Sequence, residues 1–142
     1  MKFLLDTNVV SEMIKTPPNA AVAAWLAAAD EEALFLSVIT LTEIKHGVER
    51  LAEGKRREAL EAWVRESLEE RFRGRIIHID EGVAGVWAKI ISKSESSGRR
   101  MSIMDGFQAA CAEAHGLILV TRDEQDFQGF PGQVMNPWNF GS

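Results

Sequence analysis

A single cysteine, Cys111, in 142 residues excludes an internal disulfide and any zinc site built on cysteines. Positive charge is also short: sixteen lysines and arginines face twenty-one acidic residues, for a net charge of −5. The basic surplus that usually marks a nucleic-acid binder is missing, so a nucleic acid would have to be held by local patches or through a metal. No apolar stretch approaches the roughly 20 residues needed to span a bilayer. Asp6 interrupts the opening apolar run, so no secretory leader and no membrane partner are expected, and the expected location is cytoplasmic. There is no glycine-rich phosphate loop of the Walker or dinucleotide type. His46, His78 and His115 are scattered and are read as structural; Glu43-x-x-His46 is half of a di-iron helix motif without its second copy. Internal repeats, low-complexity segments and a dividing linker are likewise absent.

What is present is ordinary globular material. An apolar fraction of 46% and a charged fraction of 26% at this length predict one domain, residues 1–142, with a sizeable core. Lys2 to Leu5 reads as a first buried strand, followed by a polar turn, Asp6-Thr7-Asn8, and a helix carrying Val9, Val10, Met13 and Ile14. Thr16-Pro17-Pro18 breaks the chain, and Asn19 can cap an alanine-rich helix from Ala20 to Ala29. Ala33 to Val38 is a second strand, with a helix beginning near Thr40. Lys55 to Arg73 reads as one long charged helix after Gly54. Ile76 to Ile79 is a third strand, Glu81 to Ser97 a helix, Ser102 to Ala114 another, and Leu117 to Val120 a fourth strand. Val134-Met135 is a short apolar pair in a Gly/Pro-rich tail. Short apolar strands alternating with helices predict an α/β fold with a parallel sheet. Cys111 falls with Phe107 and Ala114 on the apolar side of its helix, as a small core residue. Trp25, Trp63 and Trp87 hold helical apolar positions suited to a core or a subunit interface.

Four acidic residues stand where elements begin or end: Asp6 after the first strand, Glu43 and Asp105 opening helices, and Asp123 after the fourth strand. In a parallel sheet, strand ends and the starts of the following helices share one edge, where ligands bind if the strand order reverses. Unpaired carboxylates gathered there would repel one another by several kcal/mol. A hard divalent cation relieves that repulsion, and carboxylate oxygens with water suit Mg²⁺ or Mn²⁺. Such a metal can activate a water and stabilise charge developing on a phosphoryl group.

Each acid also has a bland explanation. Thr7 or Asn8 can cap the first helix. Thr40-x-x-Glu43 and Ser102-x-x-Asp105 have capping-box spacing, and acids in a first helical turn are favoured by the helix dipole. Thr121 fits a turn and Asp126 a solvated loop. The basic runs Lys55-Arg56-Arg57 and Arg71, Arg73, Arg75 read as solvated faces. Arg99 and Arg100, just before the Asp105 helix, are better placed to meet phosphate.

Taken together, Phe3-Leu-Leu-Asp6-Thr7-Asn8, Thr42-Glu43-Ile-Lys-His-Gly, Gly98-Arg-Arg-Met-Ser-Ile-Met-Asp105, Thr121-Arg122-Asp123 with Asp126-Phe127, and Asn136-Pro137-Trp138 resemble the PIN-domain family in its VapC-type toxin branch. The resemblance runs from end to end. It implies a Rossmann-like parallel sheet flanked by helices and a Mg²⁺- or Mn²⁺-dependent endoribonuclease, usually dimeric. It implies RNA as substrate, a cognate VapB-type antitoxin as inhibitor, and operator DNA reached only through that antitoxin. Carried over by position, Asp6, Glu43, Asp105 and Asp123 would be catalytic metal ligands, with Thr7, Asn8, Thr121 and Asp126 in support. Two departures stand out: many relatives carry Asn at the position of Asp123, and a proline common after the Gly-Arg pair is Arg100 here. A PIN-like module without turnover is the alternative, although such modules normally lack one of the acids. An aspartyl-phosphatase-like enzyme would want a second Asp where Asn8 stands, and a phosphorylation receiver would need an N-terminal acidic cluster.

Overall fold

Five short strands, all parallel, form one sheet in the order β3-β2-β1-β4-β5 in a computed structural model that describes residues 1–142. They are β1 (Phe3–Leu5), β2 (Leu34–Ser37), β3 (Ile76–Ile77), β4 (Ile118–Val120) and β5 (Val134–Met135). The helices are α1 (Thr7–Glu12), α2 (Ala20–Ala28), α3 (Val38–Glu49), α4 (Lys55–Trp63), α5 (Glu69–Arg71), α6 (Glu81–Ser96) and α7 (Ile103–Ala114). This is the expected α/β class.

The central strands are covered on both faces. Leu4 and Leu119 join a core with Val83, Ile90, Ala109 and Ala110 from α6 and α7. Leu5 and Val120 join a second core on the other face with Val9, Val10, Val22, Trp25 and Phe72. Alternate residues of one strand therefore supply opposite layers, which explains why Phe3-Leu4-Leu5 has no polar member. Cys111 is fully buried in the first core, as its position predicts.

Several boundaries shift for physical reasons. The third strand stops at Ile77 rather than Ile79, because its partner β2 ends at Ser37, the residue paired with Ile77. The long charged helix is interrupted by a π-helical turn, Val64–Leu68, that turns both of its end residues inward. Most of its arginines are paired: Arg57 bridges Glu49 and Glu61, and Arg71 shares Glu31 with Arg75 beyond the helix end, while Arg56 forms no ion pair. Val134-Met135 becomes an edge strand by pairing with Leu119 and Val120.

The order of the sheet places the site. The chain steps outward from β1 to β2 and β3, then returns to the other side of β1 for β4 and β5. The direction of winding reverses between β1 and β4, which pair in register from Phe3↔Ile118 to Leu5↔Val120. A crevice opens beyond the carboxyl ends of strands at such a reversal. The residues that leave those two strands are Asp6-Thr7-Asn8 and Thr121-Arg122-Asp123.

Candidate active site

Asp6 has extended backbone as it leaves β1, and its Oδ1 accepts the Thr7 N–H at 2.9 Å. The cap of α1 is thus Asp6 itself, not Thr7 or Asn8, because the helix starts two residues ahead of its first apolar position. Asp6 is only 9% exposed. Its Oδ1 also accepts the Gln108 amide at 3.0 Å, and its Oδ2 accepts the Thr121 hydroxyl at 2.7 Å. Three donors fill three of the carboxylate's roughly four lone-pair positions and leave about one for another partner.

Gln108 is the residue that sequence reasoning missed. It is buried on α7, where its amide nitrogen donates to Asp6 and to the Thr40 hydroxyl at 2.9 Å. Its oxygen accepts from the Ser37 hydroxyl. Thr40 in turn donates to the Leu5 carbonyl at 3.3 Å. Every member of this network has a partner, and no buried side-chain polar atom in the chain is left without one. The available signal was a glutamine at an apolar helical position, one turn after Asp105.

Ser37 also decides the reading of Glu43. Its hydroxyl caps α3 by accepting the Thr40 N–H at 3.3 Å, so the helix begins at Val38. Thr40-x-x-Glu43 is therefore not a capping box. Glu43 lies in the second turn, exposed, and its Oε1 accepts the Thr7 hydroxyl at 2.5 Å. At Asp105 the bland reading holds in part: Ser102 caps α7 and its oxygen accepts the Asp105 N–H at 3.1 Å.

Asn8 ties the two strand ends together. Its amide nitrogen donates to Thr121 at 3.3 Å and to Asp123 Oδ2 at 3.2 Å, while its oxygen accepts the Arg122 N–H at 3.3 Å. The Thr121 hydroxyl accepts the Asp123 N–H at 3.0 Å. Asp123 is exposed and is positioned by these bonds.

Electrostatics single out Asp105. Burial raises its pKa above the ordinary carboxylate range, the Ser102 hydroxyl works against that, and the charges of Asp126, Asp6 and Glu43 push it further up. Asp6, Glu43 and Asp126 therefore face Asp105 closely enough to act on it. No lysine or arginine forms an ion pair with any of these acids or with Asp123. The carboxylates are not closed into a ready-made cage of three or more ligating side chains. The donor set is all oxygen, without histidine or cysteine, and fits a hard cation such as Mg²⁺, which takes one or two carboxylates and keeps several waters. His46, His78 and His115 are all exposed. Burial pushes the Cys111 thiol up to about 12, so it is an inert core residue.

Comparison with known proteins agrees with this fold. The PIN domain family model matches residues 3–132. The chain is 40% identical over 136 residues to toxin FitB of Neisseria gonorrhoeae, covering 96% of this chain and 98% of FitB. It is 35% identical over 135 residues to VapC ribonuclease Y4jK of Sinorhizobium fredii, covering 95% and 96%. The solved structure of FitAB bound to IR36 DNA superposes with a TM-score of 0.92 at 38% identity, covering 99% of this chain and 98% of that one. With the family model matched over nearly the whole chain and relatives of this identity and coverage, the chain belongs to the PIN-domain family, in its VapC/FitB toxin ribonuclease branch.

Proposed function

We propose that this protein is a Mg²⁺- or Mn²⁺-dependent endoribonuclease and the toxin of a toxin–antitoxin pair. The observation that carries the reading is Asp105, half-buried among Asp6, Glu43 and Asp126 with no protein cation to balance them. Asp6, Glu43, Asp105 and Asp123 would hold the metal. When bound, it supplies a nucleophile at neutral pH and Lewis-acid stabilisation of a phosphoryl group. The chain's own residues set the geometry. Gln108 and Thr121 fix both oxygens of Asp6, Thr7 orients Glu43, and Asn8 with Thr121 holds Asp123 across the strand reversal. The exposed histidines offer no general base.

The restraining partner follows from the sign of the site. An antitoxin segment carrying arginine would pair with these acids through charge-assisted hydrogen bonds. The FitAB complex on DNA supports a VapB-type antitoxin that reaches operator DNA in this chain's case too. A homodimer and residues 1–142 acting as one domain complete the proposal.

The test is cleavage of a tRNA and structured-RNA panel with Mg²⁺, with Mn²⁺ and with EDTA. Cuts that need the metal and vanish in Asp6→Asn and Asp105→Asn are expected. Cuts that persist in both variants would come from a contaminating nuclease and remove the support. Titration with an arginine-bearing peptide of the cognate antitoxin should inhibit the cleavage; no inhibition would count against the charge-pairing contact.

A further inference from the structure

On a protein of net charge −5, the free positive charges are unevenly placed. Arg57, Arg71, Arg73 and Arg75 are consumed by ion pairs with glutamates. Lys89, Lys93, Arg99 and Arg100 are exposed and form no ion pair at all. Lys89 and Lys93 stand one turn apart on α6 and line a cleft of about 480 Å³ against the 128–131 loop. Arg99, Gln128 and Gly129 close that cleft and at the same time line a second, of about 380 Å³, that contains Arg100, Asp105 and Asp126. The two clefts adjoin along that shared wall, and together they span from the outer face of α6 to the carboxylates.

We infer that this path, Lys89–Lys93–Arg99–Arg100, is the track along which the phosphates of the RNA substrate lie on one side of the scissile bond. The inference rests on the ribonuclease reading and adds to it where the strand runs. Three arguments carry it. A polyanion meeting an acidic protein is held where cations are unpaired; Lys2, Arg50, Lys55, Arg56 and Arg122 are unpaired too, but it is Lys89, Lys93, Arg99 and Arg100 that line two adjoining clefts reaching Asp105. The groove ends at Asp105, so a strand lying in it delivers its next phosphate to the proposed metal ligands. Its sign also suits the substrate and not the inhibitor: an arginine-bearing segment matched to the acids would be repelled from the track. Gln125 and Gln128 at its inner end add neutral hydrogen-bonding groups next to the cations.

The experiment uses the whole protein and a fluorescein-labelled tRNA pool, with binding measured on the Asp6→Asn form and cleavage on the active form. Lys89 and Lys93 are tested first, because they lie far along the track from Asp105. In Lys89→Gln/Lys93→Gln, RNA affinity should fall by at least about tenfold. Its dependence on salt should become shallower by about 1.4 in the log–log slope, for two lost phosphate contacts. In cleavage, KM should rise with little change in kcat, because the track touches substrate and transition state alike. Arg99→Gln/Arg100→Gln should act in the same direction. Lys2→Gln/Arg50→Gln, of identical net charge, should behave as the parent. If the parent cleaves RNA while the α6 variant binds and cleaves unchanged, the track is wrong and the ribonuclease reading stands. If the variant keeps its RNA affinity but loses the cognate antitoxin, the groove is a protein-docking surface and the track is wrong. If the parent neither binds nor cuts any RNA, both readings fall together.

Discussion

Glu12 and Asp105 are two acids drawn out of water in opposite ways. Glu12 is 4% exposed at the end of α1. Its Oε1 meets the Lys15 ammonium at 2.6 Å and its Oε2 accepts the Asn19 N–H at 2.9 Å. The Lys15 bond first, then the Asn19 bond, hold its pKa below the ordinary value against the cost of burial, and Arg122 adds to this through space. Asp105 is half-buried and is met by carboxylates, so its pKa moves up. Both acids lose water, but only one is given a positive partner by the chain. Glu12 pins the corner between α1 and α2; Asp105 is left to be balanced from outside. A buried acid matched by its own fold reads as structure, and one matched by nothing reads as a site.

The largest effects should appear at the unmatched end. Asp6→Asn and Asp105→Asn are each expected to lower metal-dependent RNA cleavage by more than about 100-fold, since even outer partners of metal ligands cost about 10–100-fold. Steady-state cleavage in Mg²⁺ decides this, and a loss confined to a fewfold would break the contrast. Gln108→Leu comes next. It should lower Mg²⁺ affinity or cleavage by about 10–100-fold through Asp6. It should also cost about 1–3 kcal/mol of stability, because buried Ser37 and Asp6 groups lose a partner. Isothermal titration and urea unfolding separate the two effects. A variant that unfolds earlier yet binds metal normally would make Gln108 a core residue only.

Gln108 also marks the limit of what the chain announces by itself. The parallel sheet, the four acidic positions and their common edge were legible because each rests on local pattern: apolar triplets, a polar residue ending a strand, a cap before a helix. The roles within the edge were not, since they depend on contacts across the fold. The identity of the α1 cap turned on whether the helix began at Thr7 or later. Glu43 looked like a capping partner until Ser37, at the end of an apolar strand, proved to be the cap. Asp126, which reads as a solvated loop charge, is one of the three acids that raise the pKa of Asp105. Nothing local distinguishes Glu12, a lone acid among apolar neighbours, from a solvated one. The fold brings Asn19 to it seven residues later.

Glu12 supplies the pH test of the structural end. Its folded pKa is depressed, so its contribution is present above the unfolded glutamate value of about 4.3 and is lost as pH falls through the folded one. Glu12→Gln should therefore cost about 1–3 kcal/mol near neutral pH. The gap to the parent should close in acid, as read from urea unfolding at a series of pH values. A gap that stays constant into acid would mean that packing rather than charge holds the corner.

The smallest effect should also be the most discriminating, because its sign is opposite to that at Glu12. In metal-free buffer at neutral pH, Asp105→Asn removes a charge that burial and three neighbouring acids disfavour, so the variant should melt above the parent. Glu12→Gln, removing a charge that the fold welcomes, should melt below it. Added Mg²⁺ should raise the parent's melting temperature and leave Asp105→Asn nearly unmoved, since a ligand stabilises only the form that binds it. The order of the two proteins would then narrow or invert with the cation. If instead Asp105→Asn melts below the parent without metal, Asp105 is already paid for by the fold through the Ser102 cap, and its difference from Glu12 disappears.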